Sequence, residues 1–426
     1  MIPWRLPIRI EEASPVDQGP ALGGTDHVPT VQLPSPDPLT DGLTPGGQLR
    51  GADLRKRNLL AADLQGAMLG GATLDEAVLE AARLGRADLS AASMRLVNAN
   101  GADLRDALLE DADLTQASLR FAVLEGAILE AATLVRVDLW GARLRGADLR
   151  HADLAHAHLE EADLTGADLT GANLRGAVLR RAIFSGALLR GADLRDAVLD
   201  GTDFTNADLA GARLEGLVLL DSRIDGIGLA NALLDRTVLD PAALGVIREE
   251  GTRDWASAAR AWLSLERNYV SLGESEEASR AYRRKRRMQK LAARLEARQA
   301  FAGGETRRAV RATSRAVADQ LAEWVCDYGE SIPRVLGSIV VLFLVFAGLY
   351  AVTGAVTHVD SAGVVEPASP PDLLAWSFTA MVNGAGPSRE SLRGDYLAET
   401  LATIEAFIAF GLIGLLGFVL GNRIRR

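Results

Sequence analysis

The sequence holds one cysteine, Cys326, among 426 residues. A single thiol excludes an intramolecular disulfide framework and a cysteine-based zinc site. Aromatic residues make up only 5% of the chain, which excludes a large aromatic-rich core. The five histidines are scattered and never form a His-x-x-x-His pair, so no metal site is expected. Positive charge does not dominate: 46 Lys and Arg stand against 56 Asp and Glu, a formal net charge of −10. That balance excludes nonspecific nucleic-acid binding by the whole chain, and no nucleic-acid partner is expected. There is no Gly-x-x-x-x-Gly-Lys-Ser/Thr loop, no His-Glu-x-x-His helix and no Gly-x-Ser-x-Gly elbow. Neither an enzyme activity nor a cofactor is therefore expected. Residues 1–47 lack an apolar run long enough for a secretory signal. They are rich in Pro, Gly, Asp and Ser, as in Pro34-Ser35-Pro36-Asp37-Pro38, and read as a disordered tail.

The strongest pattern in the chain begins just after this tail. From Leu54 to Leu239 an apolar residue falls on nearly every fifth position, opening Leu54, Leu59, Leu64, Leu69 and Leu74 and closing Ile224, Leu229, Leu234 and Leu239. Met94 and Ala99 are its weakest members. Two residues before each stands a small one, usually Ala, as at Ala52, Ala62, Ala67, Ala72 and Ala77. A period of five fits neither a helix nor an alternating strand. It fits a repeat in which each unit forms one side of a square coil, with Leu and Ala inside and the other three positions outside. The regular Asp residues then lie on solvated faces, as structural groups rather than catalytic pairs. Coils of about 20 residues stacked at roughly 4.8 Å give about nine and a half coils and a rod roughly 45 Å long. Residues 48–240 resemble the pentapeptide-repeat family, which implies a right-handed quadrilateral β-helix. Acidic rods of that family resemble duplex DNA, and some members bind topoisomerases. Residues 51–240 carry about −10 here, although Arg143, Arg145, Arg150, Arg175, Arg180 and Arg181 interrupt the acidic surface.

The pattern stops at Pro241. Residues 252–272 read as an amphipathic helix with Trp255, Ala259, Trp262, Leu265, Tyr269 and Leu272 on one stripe, ended by Gly273. A second helix runs from Glu274 to about Ala302, so 241–304 resembles one tetratricopeptide-type helical hairpin. Residues 305–333 hold a further amphipathic helix ending near Trp324 and Tyr328.

Residues 334–426 have a different character. Runs over 335–356 and 401–421 are each long and apolar enough to cross a bilayer, the second carrying one charge, Glu405. Basic residues lie before the first run, and Arg423, Arg425 and Arg426 close the second, whereas 357–400 is net acidic. This predicts a multi-pass protein of the bacterial cytoplasmic membrane, with both termini and the rod cytoplasmic and membrane lipid as a partner. Between the runs, Pro370-Pro371-Asp372 signals a helix start. A short apolar helix over Leu373–Met381 leads into an extended, Gly-containing strip, so 370–388 reads as a re-entrant pore loop.

This C-terminal region resembles the two-span, pore-loop ion-channel family related to potassium channels, in its versions that carry a pentapeptide-repeat domain. The resemblance implies an all-α two-span membrane domain with a re-entrant pore helix, assembled as a homotetramer around inorganic cations. Ser377-Phe378-Thr379-Ala380 matches the end of the family's pore helix. The family's Gly-Tyr-Gly filter falls on Val382-Asn383-Gly384 or, two residues on, Gly384-Ala385-Gly386, and neither matches. The implied pore strip is thus Thr379, Ala380, Met381, Val382, Asn383, Gly384, Ala385 and Gly386, with altered selectivity. Glu405 is placed at the outer pore mouth. Gly411, Gly414, Gly417 and Gly421 read as close helix packing. Arg283, Arg284, Lys285, Arg286 and Arg287 form a candidate lipid-facing basic cluster. Cys326 reads as inert, and His151, His156 and His158 as surface residues. The leading expectation is a cation channel whose rod senses or binds a cytoplasmic protein. The alternative is a non-conducting, membrane-tethered interaction scaffold or acidic DNA-mimic rod.

Overall fold

The structure, a computed structural model, describes residues 43–359, 364–386 and 392–424. Most of the stretch read as a tail lies outside them, as do Pro387, Ser388, Arg425 and Arg426. Gly46, placed in that tail by composition, already belongs to the first coil: its N–H donates to the Gln65 carbonyl at 2.8 Å.

The period of five becomes a coil because two positions in each unit are buried. Ala67, Leu69, Ala72 and Leu74 have no exposed surface, and Met94 and Ala99 occupy the same column as the leucines, equally buried. The residue before each Leu bridges in parallel to its equivalent twenty residues on, as in Asp53↔Thr73, Asp63↔Arg83 and Asp153↔Asn173. The Leu64 N–H donates to the Arg83 carbonyl at 2.8 Å, and the same link recurs coil after coil. Backbone polar groups thereby find partners in the stack while the leucines fill its interior. Phe184 and Phe204, one coil apart, stack with centroids 5.3 Å apart.

Each corner is a turn whose second central residue has positive φ, which favours Gly. Gly51, Gly66, Gly71 and Gly101 fill it cheaply, but Leu96 (φ 57°) and Phe121 (φ 57°) stand there too. The Asp before each Leu closes the next corner. Asp103 Oδ1 accepts the Arg105 N–H at 3.2 Å, and the Arg105 guanidinium returns to both carboxylate oxygens at 2.8 and 2.5 Å. Asp53 and Arg55 repeat the pattern, and the Arg55 hydrogen bonds hold the Asp53 carboxyl down at about 2.

The rod's last coils end on a helical cap. Helix α1 (Arg248–Gly251) brings Glu249 over the open edge, where its Oε1 accepts the N–H groups of Leu229 (2.8 Å) and Ala230 (2.7 Å). Helix α2 (Trp255–Leu272) adds Asn268, whose side chain accepts from the Thr237 N–H at 3.0 Å and donates to the Thr237 carbonyl at 2.8 Å. These contacts satisfy an edge that would otherwise expose unpaired backbone. Asp254 caps the start of α2 and Gly273, in the left-handed region, its end. Helix α3 (Ser275–Ala302) folds back on α2, and α4 (Thr306–Cys326) packs on α3.

Two helices are long and apolar enough to span a membrane: α5 (Ile332–Thr353) and α7 (Tyr396–Ile424), whose most apolar 18-residue windows have mean hydropathies of 2.6 and 2.2. Both bounds of α5 fall earlier than the apolar run suggests. Ser331 caps its start, and Gly354, at φ 63°, stops it before Val356. Helix α7 begins before the run because the Asp395 carboxylate accepts the Ala398 N–H at 2.8 Å. Between them lie strands β1 (Val356–Val359) and β2 (Val365–Pro367), helix α6 (Pro370–Asn383) and strand β3 (Leu392–Gly394). The strands form an antiparallel sheet in the order β2-β1-β3.

Candidate functional site

Helices α5, α6 and α7 meet at Glu405. This residue sits in the apolar body of α7 and has no exposed surface. Its Oε1 accepts from the Ser377 hydroxyl of α6, and its Oε2 accepts from the Tyr350 hydroxyl of α5 at 3.1 Å. Ser377 Oγ also lies 3.1 Å from the Phe343 carbonyl oxygen of α5. One carboxylate therefore joins three helices through two donors. Around it pack Phe346, Tyr350, Leu373, Trp376, Ala380 and Ala402. The close face of α7 is a row of alanines, Ala398, Ala402, Ala406 and Ala409, all buried. The glycine row read as a packing stripe is not used this way within the chain. A Cβ added at Gly411, Gly414, Gly417 or Gly421 meets open space.

The short helix runs two residues past its expected end at Met381, so Val382 and Asn383 of the candidate pore strip are helical where an extended strip was expected. Helix α6 continues through Thr379, Ala380, Met381, Val382 and Asn383, and only Gly384, at φ 74°, turns the chain. The cause is local: Ser369 and Asp372 form a capping box at its start, and nothing before Gly384 breaks the helix. Thr379 Oγ1 donates back to the Ala375 carbonyl at 2.8 Å, and Ala380 is buried. Phe378, Val382 and Asn383 remain exposed on the chain's surface. Gly386 has a packing role. The Trp376 ring lies so close that an added Cβ would meet it at 2.1 Å, and at Gly394 at 2.5 Å.

The residues of the basic cluster find partners on neighbouring helices. Arg286 pairs with Asp319 at 2.5 Å, Arg287 with Glu323 at 3.0 Å and Arg283 with Asp327 at 3.7 Å, all across to α4 and the turn after it. Lys285 pairs with Glu266 of α2, and Arg284 lies over the Trp262 ring, 4.7 Å from its centroid. Three of the five thus meet acids of α4 and the turn after it, and the other two meet side chains of α2. Cys326 is buried, and burial pushes its thiol above the usual range, so reactive thiolate is scarce. His151 and His156 occupy rod corners, and His158 Nδ1 lies 3.6 Å from Glu160. Among the described residues no three potential ligand side chains converge on a metal position.

Sequence reasoning missed Ser377 and Tyr350 as partners of Glu405, and Glu249 and Asn268 as the rod cap. An isolated hydroxyl in an apolar run was the one signal for the first pair. The cap residues gave none.

On the rod, carboxylates and guanidiniums alternate. Arg83–Asp63 (3.0 Å), Arg145–Asp163 (2.6 Å) and Arg190–Asp208 (2.7 Å) link successive coils, and Arg50–Asp88 (2.8 Å) reaches across two. A family model for pentapeptide repeats matches in 8 copies, over residues 48–80, 72–111, 102–141, 112–150, 142–181 and 182–216. Over these residues the chain is a pentapeptide-repeat protein. Among solved structures it is similar to HetL, a pentapeptide repeat protein involved in heterocyst differentiation regulation from the cyanobacterium Nostoc sp. strain PCC 7120. The identity is 33%, covering 45% of this chain and 86% of HetL, with a TM-score of 0.43. A pentapeptide repeat protein of the Arabidopsis thaliana thylakoid lumen is 31% identical, over 26% of this chain and 66% of that one, with a TM-score of 0.18. QnrB1, a plasmid-mediated fluoroquinolone resistance protein, is 17% identical, over 45% of this chain and 96% of its own, with a TM-score of 0.19. No curated protein matches. The pentapeptide-repeat match ends at residue 216, so the helices from Arg248 onward rest on their own geometry.

Proposed function

We propose that this pentapeptide-repeat protein is a multi-pass membrane protein whose α5–α6–α7 unit assembles around a cation pathway. The observation that carries the reading is Glu405. An ionisable side chain in the middle of an apolar helix is functional by default, and this one holds the short helix α6 between two helices of spanning length. At 1.5 Å per residue, α6 is roughly 21 Å long, too short to cross a hydrocarbon core of about 30 Å. It re-enters the bilayer from one side. Its carbonyl end carries the negative end of the helix dipole, which favours a cation. Phe378, Val382 and Asn383 are left uncovered by the chain itself and are covered by the next copy or face the pathway.

On this reading the unit is a homotetramer in the cytoplasmic membrane, the rod and both termini lie inside, and a cytoplasmic protein binds the rod. Val382, Asn383 and Ala385, the exposed members of the strip, line the narrow part of the pathway. With 379–383 helical and no Gly-Tyr-Gly filter, selectivity among cations is weak. The test is single-channel recording from the purified full chain in planar bilayers, with potassium on one side and sodium on the other. Discrete openings with a reversal potential near zero are expected, and Glu405→Ala abolishes them by releasing α6. Silence under voltage, tension and acid, from protein shown to be tetrameric, overturns the proposal.

A membrane-tethered interaction scaffold is the second reading, and one observation favours it. Phe121 stands exposed at a rod corner against Trp140 (centroids 4.6 Å apart), with the Arg120 guanidinium 4.8 Å over the Trp140 ring. Aromatic and arginine side chains of this kind dominate binding surfaces. The coil-to-coil ion pairs weaken the DNA-mimic version, because they break any continuous acidic stripe.

A further inference from the structure

The last turn of α4 lies level with the first turns of α5. Arg334 Nη1 donates to the Glu323 carbonyl at 2.7 Å, and Ser338 Oγ lies 3.4 Å from the Val325 carbonyl oxygen. Val335 of α5 and Val419 of α7 close over Cys326. Where α5 and α7 span a bilayer, this level is the boundary between headgroups and hydrocarbon. Trp324 stands there, 68% exposed, and Trp is the residue that prefers that boundary. Val317 and Leu321 continue the same face of α4 away from it, each more than half exposed.

Helix α3 runs alongside and closes the other wall. A groove of about 590 Å³ lies between them, lined by Val317, Leu321, Trp324, Phe301, Arg294 and Arg298. The two arginines are four residues apart on α3, one helical turn. Arg294 donates to Gln320 Oε1 at 2.7 Å. Among the described residues, neither arginine has a carboxylate within ion-pair distance. Their neighbours Arg286, Arg287, Lys290, Arg308 and Arg315 all do. The groove thus runs from Trp324 at bilayer depth, past Leu321 and Val317, to two uncompensated guanidiniums farther from the membrane. A ligand that matches both has an anionic head and an apolar tail.

We propose that the α3–α4 groove binds an anionic phospholipid of the leaflet on the rod's side, an inference that rests on α5 and α7 spanning the membrane. The acyl chain lies against Trp324, Leu321 and Val317. The phosphate is held by Arg294 and Arg298, whose planar forks suit phosphate oxygens. A free phosphate would leave the apolar wall unused, and a neutral lipid would leave the two charges unanswered.

The test is tryptophan quenching of the full chain, reconstituted in phosphatidylcholine vesicles with increasing fractions of acyl-brominated phosphatidylglycerol or acyl-brominated phosphatidylcholine. Trp324→Phe isolates the Trp324 signal by difference, and Trp376→Phe isolates that of Trp376 in α6 as a report on the spanning helices. Brominated phosphatidylglycerol is expected to half-quench Trp324 at a fraction at least about tenfold lower than brominated phosphatidylcholine. Two membrane-proximal arginines supply a preference of that order. The double variant Arg294→Gln, Arg298→Gln moves the first curve onto the second, and Arg105→Gln on the rod leaves both in place. Coincident curves in the unmodified protein overturn the proposal. So does an unquenched Trp324 beside a quenched Trp376, which means that a second copy or another protein covers the groove. If neither residue is quenched, it is the spanning of α5 and α7 that fails.

Discussion

Glu249→Ala tests whether the rod depends on its cap. In the folded chain Glu249 Oε1 accepts two backbone N–H groups, from Leu229 and Ala230, and the side chain is buried. Removing it leaves two buried donors without partners. Each costs roughly 1–3 kcal/mol, so the last coils lose roughly 2–6 kcal/mol of local stability. Glu249→Gln keeps one acceptor oxygen and costs about 1 kcal/mol. Native-state hydrogen exchange of the full chain in detergent reads this at the affected coil. At about 1.4 kcal/mol per factor of ten, exchange at the Leu229 and Ala230 amides should rise roughly 30- to 20,000-fold in the Ala variant and about fivefold in the Gln variant. Coils near Leu104 should not change, because nearest-neighbour stacking confines the damage. Burial pushes the Glu249 carboxyl above its ordinary range. The folded state therefore binds this proton more tightly than the unfolded chain, and the Glu249 contribution declines as pH rises from the unfolded value through the raised one. Unchanged exchange at Leu229 and Ala230 in Glu249→Ala would refute the capping argument.

The rod's corners and the Trp376 pocket supply two more tests. The carboxyls of Asp103, Asp148 and Asp193 are held below the usual range, first by hydrogen bonds from Arg105, Arg150 and Arg195. Their stabilisation is complete above the unfolded value near 4 and is lost as pH falls through the lowered folded values. Exchange in their corners should thus accelerate below about pH 4, and less steeply in Arg105→Leu, Arg150→Leu, Arg195→Leu. At Gly394→Ala the new methyl group meets the Trp376 ring at 2.5 Å and Ala398 Cβ at 2.9 Å. Overpacking of this kind costs roughly 1–3 kcal/mol, so the thermal midpoint followed by tryptophan emission should fall, whereas Gly337→Ala, facing open space in a helix, does not lower it.

The rod was legible because every inward position has the same chemistry, so the period survives soft members such as Met94 and Ala99. Its corners were not. Gly fills the positive-φ position only part of the time, and Leu96 and Phe121 in the same slot hide the rule. The cap was invisible for a different reason: Glu249 and Asn268 act on residues about 20 and 31 positions away, with no repeat to announce them. Glu405 stood out as a lone charge in an apolar run, yet its partners lie 28 and 55 residues away. The basic run on α3 looked like a free surface because its acids, Asp319 and Glu323, come some 33 residues later. The strip after Met381 was read as extended from its glycines. In the folded chain Gly384 ends a helix that the preceding residues had no reason to leave.

The path from rod to membrane bears on the choice between channel and tether. A tether needs only a slack connection, yet no slack stretch joins the rod to α5 among the described residues. Asn268 fixes α2 to the last coil, and α3 packs back along α2. Arg286, Arg287 and Lys290 fix α4 to α3 through Asp319 and Glu323. Arg334, at the start of α5, reaches Asp327 at 3.4 Å and the Glu323 carbonyl at 2.7 Å. The same Glu323 thus receives α3 through its side chain and α5 through its backbone. Partly buried ion pairs in series resist bending far better than a Gly- or Pro-rich linker. A load on the last coil therefore reaches the first turn of α5 through packed helices. On the proposed function, such a connection couples the rod to α5, and this favours a gated pathway over an anchor.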